Sequence, residues 1–258
     1  MRILVTNDDG IHSPGLEVLE RVAREISDDV WIVAPETDQS GVAHSLSLND
    51  PLRLRAISDR RFAVKGTPTD CVILGTRHIM QEARPDLVLS GVNRGANVAE
   101  DVTYSGTIAA AMEGTILGIR SIALSQSYGV SGREGIKWHC AEHHAARVIR
   151  RLVEQEMEPG TLLNVNFPDC EPEEVAGLAI SVQGRRDNQF LSIDARVDGR
   201  GNPYFWIGFA KSTREPGHGT DLEALVQRKI SVTPLRLDLT DEPTLTRLAA
   251  AFADSAKL

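Results

Sequence analysis

Five short, nearly continuous apolar runs set the possibilities for this chain: RILVT (2–6), VWIVAP (30–35), DLVLSG (86–91), SIALSQ (121–126) and TLLNVNF (161–167). A strand with one wet face alternates apolar and polar residues, whereas a strand buried on both faces reads as an unbroken apolar run. The intervals between these runs carry helical periodicity. Ser13-Pro14 opens one helix with an N-cap and a first-turn proline, and Leu16, Leu19, Val22, Ala23 and Ile26 share its apolar face. Thr67-Pro68-Thr69-Asp70 has capping-box spacing ahead of CVILGTRHIMQEA. TIAAAMEGTILG forms a further helix, and residues 136–156 a long one with Trp138, Ala141, Ala145, Val148, Ile149 and Leu152 on one side. Buried strands alternating with helices predict an α/β domain with a mostly parallel sheet covered on both faces.

Two segments depart from that rhythm. SLSL and LRLRAI, separated by NDP, alternate strictly and are predicted to pair as a hairpin. Beyond about residue 180, NQFLSIDARVDGRGNPYFWIGFA reads as a long hairpin turning at Asp198-Gly199-Arg200-Gly201. A short helix in GTDLEALVQRK, a strand ISVTPL and a terminal helix in EPTLTRLAAAFADS follow. The expected organisation is a core over 1–183, and over 184–258 a hairpin, strand and helix that do not form an independent domain.

In open α/β sheets, ligands gather at the carboxyl ends of the strands. Strand one ends in Asn7, Asp8 and Asp9, followed by Gly10, which permits a sharp turn. Strand two leads to a loop with Asp38, Ser40 and His44; DLVLSG leads to Asn93 and Asn97; the next helix starts at Ser105-Gly106-Thr107. Adjacent carboxylates repel, so Asp8 and Asp9 form either a solvated turn or one side of a cation site. With Ser and Asn oxygens and no thiolate, such a set suits Mg²⁺, Mn²⁺ or Ca²⁺ better than Zn²⁺ or Cu²⁺. Ser105-Gly106-Thr107 reads as a plain N-cap or as an anion site at a helix N-terminus. A phosphate site beside a divalent metal is what a phosphomonoesterase requires.

Other chemistries lack their signatures. No G-x-G-x-x-G follows strand one, and neither G-x-x-x-x-G-K-[ST] nor G-x-S-x-G occurs. In HCAEHH, His139 and His143 have the spacing of a metal pair, but they lie opposite the apolar helix face and are expected to meet solvent. His12 and His44 are candidate general acids or ordinary loop histidines. Tyr204, Phe205 and Trp206 suit packing or a subunit contact better than base stacking, which uses a basic setting. The formal net charge of −8 argues against nucleic-acid binding. No run approaches the roughly 18 apolar residues of a membrane span. The scattered Cys71, Cys140 and Cys170 read as reduced thiols of a cytoplasmic protein.

The segments MRILVTNDDGIHSPGLEVL, VAPETDQSGVAHSL, GTPTDCV, LVLSGVNRGANVAEDVTYSGTIAAAMEG and TDLEAL…ISVTPL, in this order, resemble the SurE family of 5′/3′-nucleotidases. The resemblance implies a Rossmann-like core whose C-terminal extension is exchanged between subunits in a homodimer or homotetramer. It implies a hydrolase of nucleoside 5′- and 3′-monophosphates, in some members also of short polyphosphate. One divalent cation per subunit, Mg²⁺ or Mn²⁺, would be held by Asp8, Asp9, Ser40 and Asn93, with Asp8, Asp9 and Asn93 catalytic. Ser40, Asn97, Ser105, Gly106 and Thr107 would bind phosphate. A sensor that binds nucleotides without turnover would use the same pocket. A polyphosphate hydrolase would need a local basic path such as Arg185-Arg186.

Overall fold

The computed structural model describes residues 1–129, 132–187, 191–209 and 215–253. Its main sheet has nine strands in the order β3-β4-β2-β1-β5-β6-β7-β11-β8. In chain order these are β1 (Arg2–Thr6), β2 (Asp29–Pro35), β3 (Arg53–Ser58), β4 (Arg61–Lys65), β5 (Leu87–Arg94), β6 (Arg120–Gln126), β7 (Thr161–Phe167), β8 (Leu178–Ile180) and β11 (Ile230–Arg236). The block from β4 to β7 is parallel throughout. β3 and β11 run antiparallel to β4 and β7.

Side-chain alternation along the strands sorts the core into two layers. Ile3, Val5, Leu87, Leu89, Ile122 and Leu124 face α1 (Pro14–Ile26) and α4 (Trp138–Val153). Leu4, Val33 and Val88, their neighbours on the other face, pack on α2 (Pro68–Leu74) and α3 (Gly106–Ile116). Both faces are covered, which is why the strands show no polar alternation.

Each helix start is built as its residues dictate. Ser13 caps α1 by accepting the Leu16 N–H, with Pro14 in the first turn. Thr67 accepts the Asp70 N–H at 3.2 Å while the Asp70 carboxylate accepts the Thr67 N–H at 2.8 Å, closing the capping box of α2. The Thr67 hydroxyl also donates to the Ser45 carbonyl at 2.9 Å. Thr67→Ala removes both roles and is expected to cost about 1–2 kcal/mol, read as a lower urea midpoint with an unchanged slope.

The N-terminal hairpin differs from the sequence expectation. SLSL is not a strand; LRLRAI pairs instead with RFAVK around Asp59-Arg60, forming β3 and β4. The Ser47 N–H is taken by the Asp70 carboxylate at 3.1 Å and the Ser45 carbonyl by Thr67, so α2's capping residues satisfy backbone that a strand partner would have satisfied. β5 also runs longer than DLVLSG, and the three-residue β8 was not anticipated.

The C-terminal hairpin forms as expected from β9 (Leu191–Val197) and β10 (Pro203–Phe209), in a separate two-stranded sheet turning over 198–202. Residues 188–190 and 210 of the expected hairpin lie outside the described residues, as do 254 and 255 of the expected terminal helix. That helix is α6 (Glu242–Ala251), preceded by α5 (Asp221–Val226).

Candidate active site

The parallel sheet reverses its winding between β1 and β5. From β1 the chain builds outward to β2 and β4, and from β5 it builds the opposite way to β6 and β7. Such a switch point leaves a crevice at the strand ends, and Asp8 and Asp9 stand in it. The turn that carries them is pinned on several sides. The Asp8 carbonyl accepts the Gln39 N–H at 2.8 Å, and the Ile11 N–H donates to the Pro35 carbonyl at 2.8 Å. Gly10 turns the chain at a φ of 100°, a left-handed conformation that L side chains rarely adopt. The Asn7 amide donates to the Gly10 carbonyl and to Ser13 Oγ at 3.0 and 2.7 Å.

Asp8 is only 3% exposed. Thr107 Oγ1, from the first turn of α3, donates to its Oδ1 at 2.5 Å. Gly106 lies so close that a Cβ there would sit 2.8 Å from Asp8 Cβ. Burial first, and then the neighbouring Asp9 charge, push the Asp8 carboxyl up from 3.8 to about 7; the Thr107 hydrogen bond opposes them in part. Asp9 is half-buried, and its Oδ2 accepts the Arg94 N–H at 3.0 Å.

A one-residue bulge in β5 brings Asn93 and Arg94 to this rim. Ser90 pairs with Ala123, but Asn93 pairs with Ser125, so Gly91 and Val92 together oppose one residue. Gly91 is required there, because a Cβ would fall 2.2 Å from the Leu124 carbonyl oxygen. The Asn93 amide nitrogen donates to the Gly95 carbonyl at 2.8 Å. Its oxygen carries no hydrogen bond among the described residues. Ser40 is exposed in the loop after β2, its N–H on Asp38 Oδ1 at 2.8 Å.

The remaining predicted residues are also placed. Ser105 caps α3, its Oγ accepting the Ile108 N–H at 3.1 Å. With the Thr107 hydroxyl engaged as a donor, α3 offers an anion the Ser105 O–H and its first-turn backbone N–H groups, which have no intrahelical acceptors. Asn97 is tied into a buried network: its Nδ2 donates to Ser125 Oγ at 2.9 Å, its N–H to Asn166 Oδ1 at 2.8 Å, and its carbonyl accepts from Asn164 and Asn166. His44 Nε2 lies 3.1 Å from Glu113 Oε2, further along α3. His12 is exposed in the turn after Asp9. Arg185 is exposed, but both terminal guanidinium nitrogens of Arg186 engage the Asp101 carboxylate. Away from the crevice, His139 and His143 face solvent, whereas His144 is buried on the Pro172 carbonyl at 3.0 Å. The three cysteines are buried and unpaired.

Ser125, Asn164 and Asn166 went unnoticed in the sequence reading. Their signal was present: two asparagines on alternate positions of an otherwise apolar strand, TLLNVNF, which put both amides on one face.

The donor set fits a hard divalent cation. Two adjacent carboxylates, one almost fully buried, stand at the rim with the Thr107 hydroxyl and the end of β5 that carries Asn93, and the thiols are buried. Among the described residues no cluster of three or more His, Cys, Asp and Glu is arranged to hold a metal. A cation here would rest on two carboxylates completed by neutral oxygens.

The comparisons with known proteins converge. The family model described as survival protein SurE matches residues 3–189. A 5′-nucleotidase SurE of Methylobacterium nodulans is 73% identical over 252 residues, covering 98% of this chain and 100% of the relative. One from Beijerinckia indica is 67% identical over 254 residues, covering 98% and 97%. The crystal structure of the SurE protein from Aquifex aeolicus superposes with a TM-score of 0.83 at 40% identity, covering 97% of this chain and 99% of that one.

Proposed function

This chain belongs to the SurE family, and from that premise we propose that it is a metal-dependent nucleotidase, hydrolysing nucleoside 5′- and 3′-monophosphates to nucleoside and phosphate. The observation that carries this reading is the buried Asp8 carboxylate, set against Asp9 and bonded to the first turn of α3. That geometry supports a cation site and an anion site sharing one crevice.

Asp8, Asp9, Ser40 and Asn93 would hold one divalent cation, Mg²⁺ or Mn²⁺. When bound, it neutralises phosphoryl oxygens and lowers the pKa of a water ligand. The chain's own residues do the rest. Thr107 keeps Asp8 oriented through its hydroxyl, and the Arg94 N–H does the same for Asp9. The N–H groups at Gly106 and Thr107, aided by the Ser105 cap and the helix dipole, orient the substrate's remaining phosphate oxygens. Asn97 and its amide network fix the loop between β5 and α3. His12, exposed in the turn after Asp9, and His44, paired with Glu113, are the two candidate general acids for a leaving hydroxyl.

The apolar residues Phe205, Trp206 and Ile207 of β10 are 60–75% exposed, and Leu245, Leu248 and Phe252 of the α6 region 51–58%. Their exposure supports covering by further copies of the chain, in a homodimer or homotetramer with 184–258 as the assembling segment and 1–183 as the core. Among the described residues no helix is long and apolar enough to cross a membrane. The unpaired cysteines support a cytoplasmic setting.

The test is phosphate release from 5′- and 3′-nucleoside monophosphates and short polyphosphate, in Mg²⁺, in Mn²⁺ and after EDTA. Release from monophosphates that stops with EDTA, returns with metal and is absent in Asp9→Asn is the expected result. Nucleotide binding with no release from any substrate would replace the hydrolase with a sensor.

A further inference from the structure

Asp221 is a fully buried carboxylate that the proposed reaction does not use. It sits in the first turn of α5, far along the chain from the crevice. Its oxygens are filled by backbone donors: the Ala99 N–H reaches Oδ2 at 2.9 Å, and the Gly184 and Leu222 N–H groups reach Oδ1 at 2.9 and 2.8 Å. The approach of Gly184 leaves no room for a side chain, since a Cβ there would lie 2.7 Å from Asp221 Oδ1.

Ala99 is an unusual residue to hold in this way. It adopts a φ of 53°, in the left-handed region, without being glycine. Such a conformation persists only where its surroundings impose it. Both of its backbone polar groups are taken by the C-terminal part of the chain: its N–H by Asp221, and its carbonyl by Gln183 Nε2 at 2.7 Å. The contacts continue with the Arg186 N–H on Glu100 Oε2 at 3.0 Å and the Arg186 guanidinium on Asp101.

Ala99 lies on the loop that begins at Asn93 and ends at Ser105. Asn97 is fastened to that loop's inner side by Ser125, Asn164 and Asn166. The outer side is fastened by Gln183, Arg186 and Asp221. In the chain the residues of this clamp lie on either side of the β9–β10 segment.

We propose that Asp221 is a positioning residue of the phosphate site: through Ala99 it holds the Asn93–Ser105 loop in its binding geometry. This rests on the phosphatase reading above. A carboxylate suits the task because it accepts hydrogen bonds and donates none, so it can gather three N–H groups from three segments. Losing it strands buried donors without acceptors.

The experiment compares wild type, Asp221→Asn and the milder Gln183→Ala. In each, kcat, KM for a nucleoside monophosphate, the calorimetric Kd of inorganic phosphate with Mn²⁺ present, and the Kd of Mn²⁺ alone are measured. Asp221→Asn is expected to raise KM and the phosphate Kd at least tenfold while the Mn²⁺ Kd stays within threefold. Gln183→Ala should move the same two constants in the same direction by a smaller factor. A lower Tm with KM and phosphate Kd both within twofold of wild type would overturn the proposal and leave Asp221 as an anchor for α5 alone. If Asp221→Asn does not fold, Gln183→Ala decides by the same criterion. Wild type that binds phosphate but releases none removes the hydrolase reading, and the phosphate titrations still judge the clamp. Wild type that does neither overturns both.

Discussion

Asp8→Asn is expected to lower phosphate release about a thousandfold or more, equivalent to about 4 kcal/mol of transition-state stabilisation, and at the same time to stabilise the metal-free protein at pH 8. The second effect follows from burial. Folding places Asp8 where the ionised carboxyl has lost its water and faces Asp9, which raises its pKa from 3.8 to about 7. Below about pH 4 the group is protonated whether folded or not, and it costs nothing. Between pH 4 and 7 the unfolded chain ionises freely while the folded one resists, so the penalty grows. Above pH 7 the penalty is complete and constant, on the order of 2–4 kcal/mol. Asparagine carries no charge to desolvate, and its oxygen can still accept the Thr107 hydroxyl. The Tm of Asp8→Asn minus that of wild type, in EDTA, should therefore widen from pH 4 to 7 and then level off. Mn²⁺ should close the gap by stabilising wild type alone. A variant less stable than wild type at pH 8 in EDTA would mean that Asp8 is not the strained member of the pair.

What made the fold legible was double burial. RILVT, VWIVAP and SIALSQ announce central parallel strands because both their faces are covered. The helix caps were equally readable, since Ser13, Thr67 and Ser105 act through local hydrogen bonds between residues three apart. The N-terminal hairpin was not readable. SLSL has the period of a strand, but strand pairing is a non-local choice, and the capping residues of α2 had already taken its backbone groups. RFAVK, whose apolar run is only Phe62 to Val64 between two charged ends, took the pairing instead.

The site divided along the same line. Asp8, Asp9 and the start of α3 could be placed because they end or begin elements whose direction the α/β pattern dictates. The clamp on the Asn93–Ser105 loop could not. Asp221 after Thr220 looks like any acid in a helix's first turn, and only the folded chain brings it to Ala99. Thr107 shows a finer limit. Nothing in a threonine beside a cap announces that its hydroxyl is on the Asp8 carboxylate, which leaves only its backbone N–H for an anion.

Gly106→Ala tests that last distinction, because two opposing effects have known sizes. Alanine is the better helix residue by about 0.5–1 kcal/mol. Its Cβ, however, would stand 2.8 Å from Asp8 Cβ and 3.1 Å from Pro68 Cγ, closer than packed carbons allow. Asp8 cannot yield, since the turn beneath it is held to β2 and its following loop through Gln39 and Pro35. The start of α3 must retreat instead. Overpacking of this kind costs about 1–3 kcal/mol, so the net loss of stability should be no more than about 2.5 kcal/mol. Activity should suffer more. The retreat lengthens the Thr107–Asp8 hydrogen bond and withdraws the first-turn N–H groups from the phosphate, and kcat/KM is expected to fall about a hundredfold. Gly199→Ala serves as the control, because a Cβ there meets nothing within 4 Å, and it should leave both stability and turnover unchanged. Wild-type kcat/KM in a folded Gly106→Ala protein would place the reacting phosphate away from α3, and with it would fall the joining of cation and anion sites in one crevice.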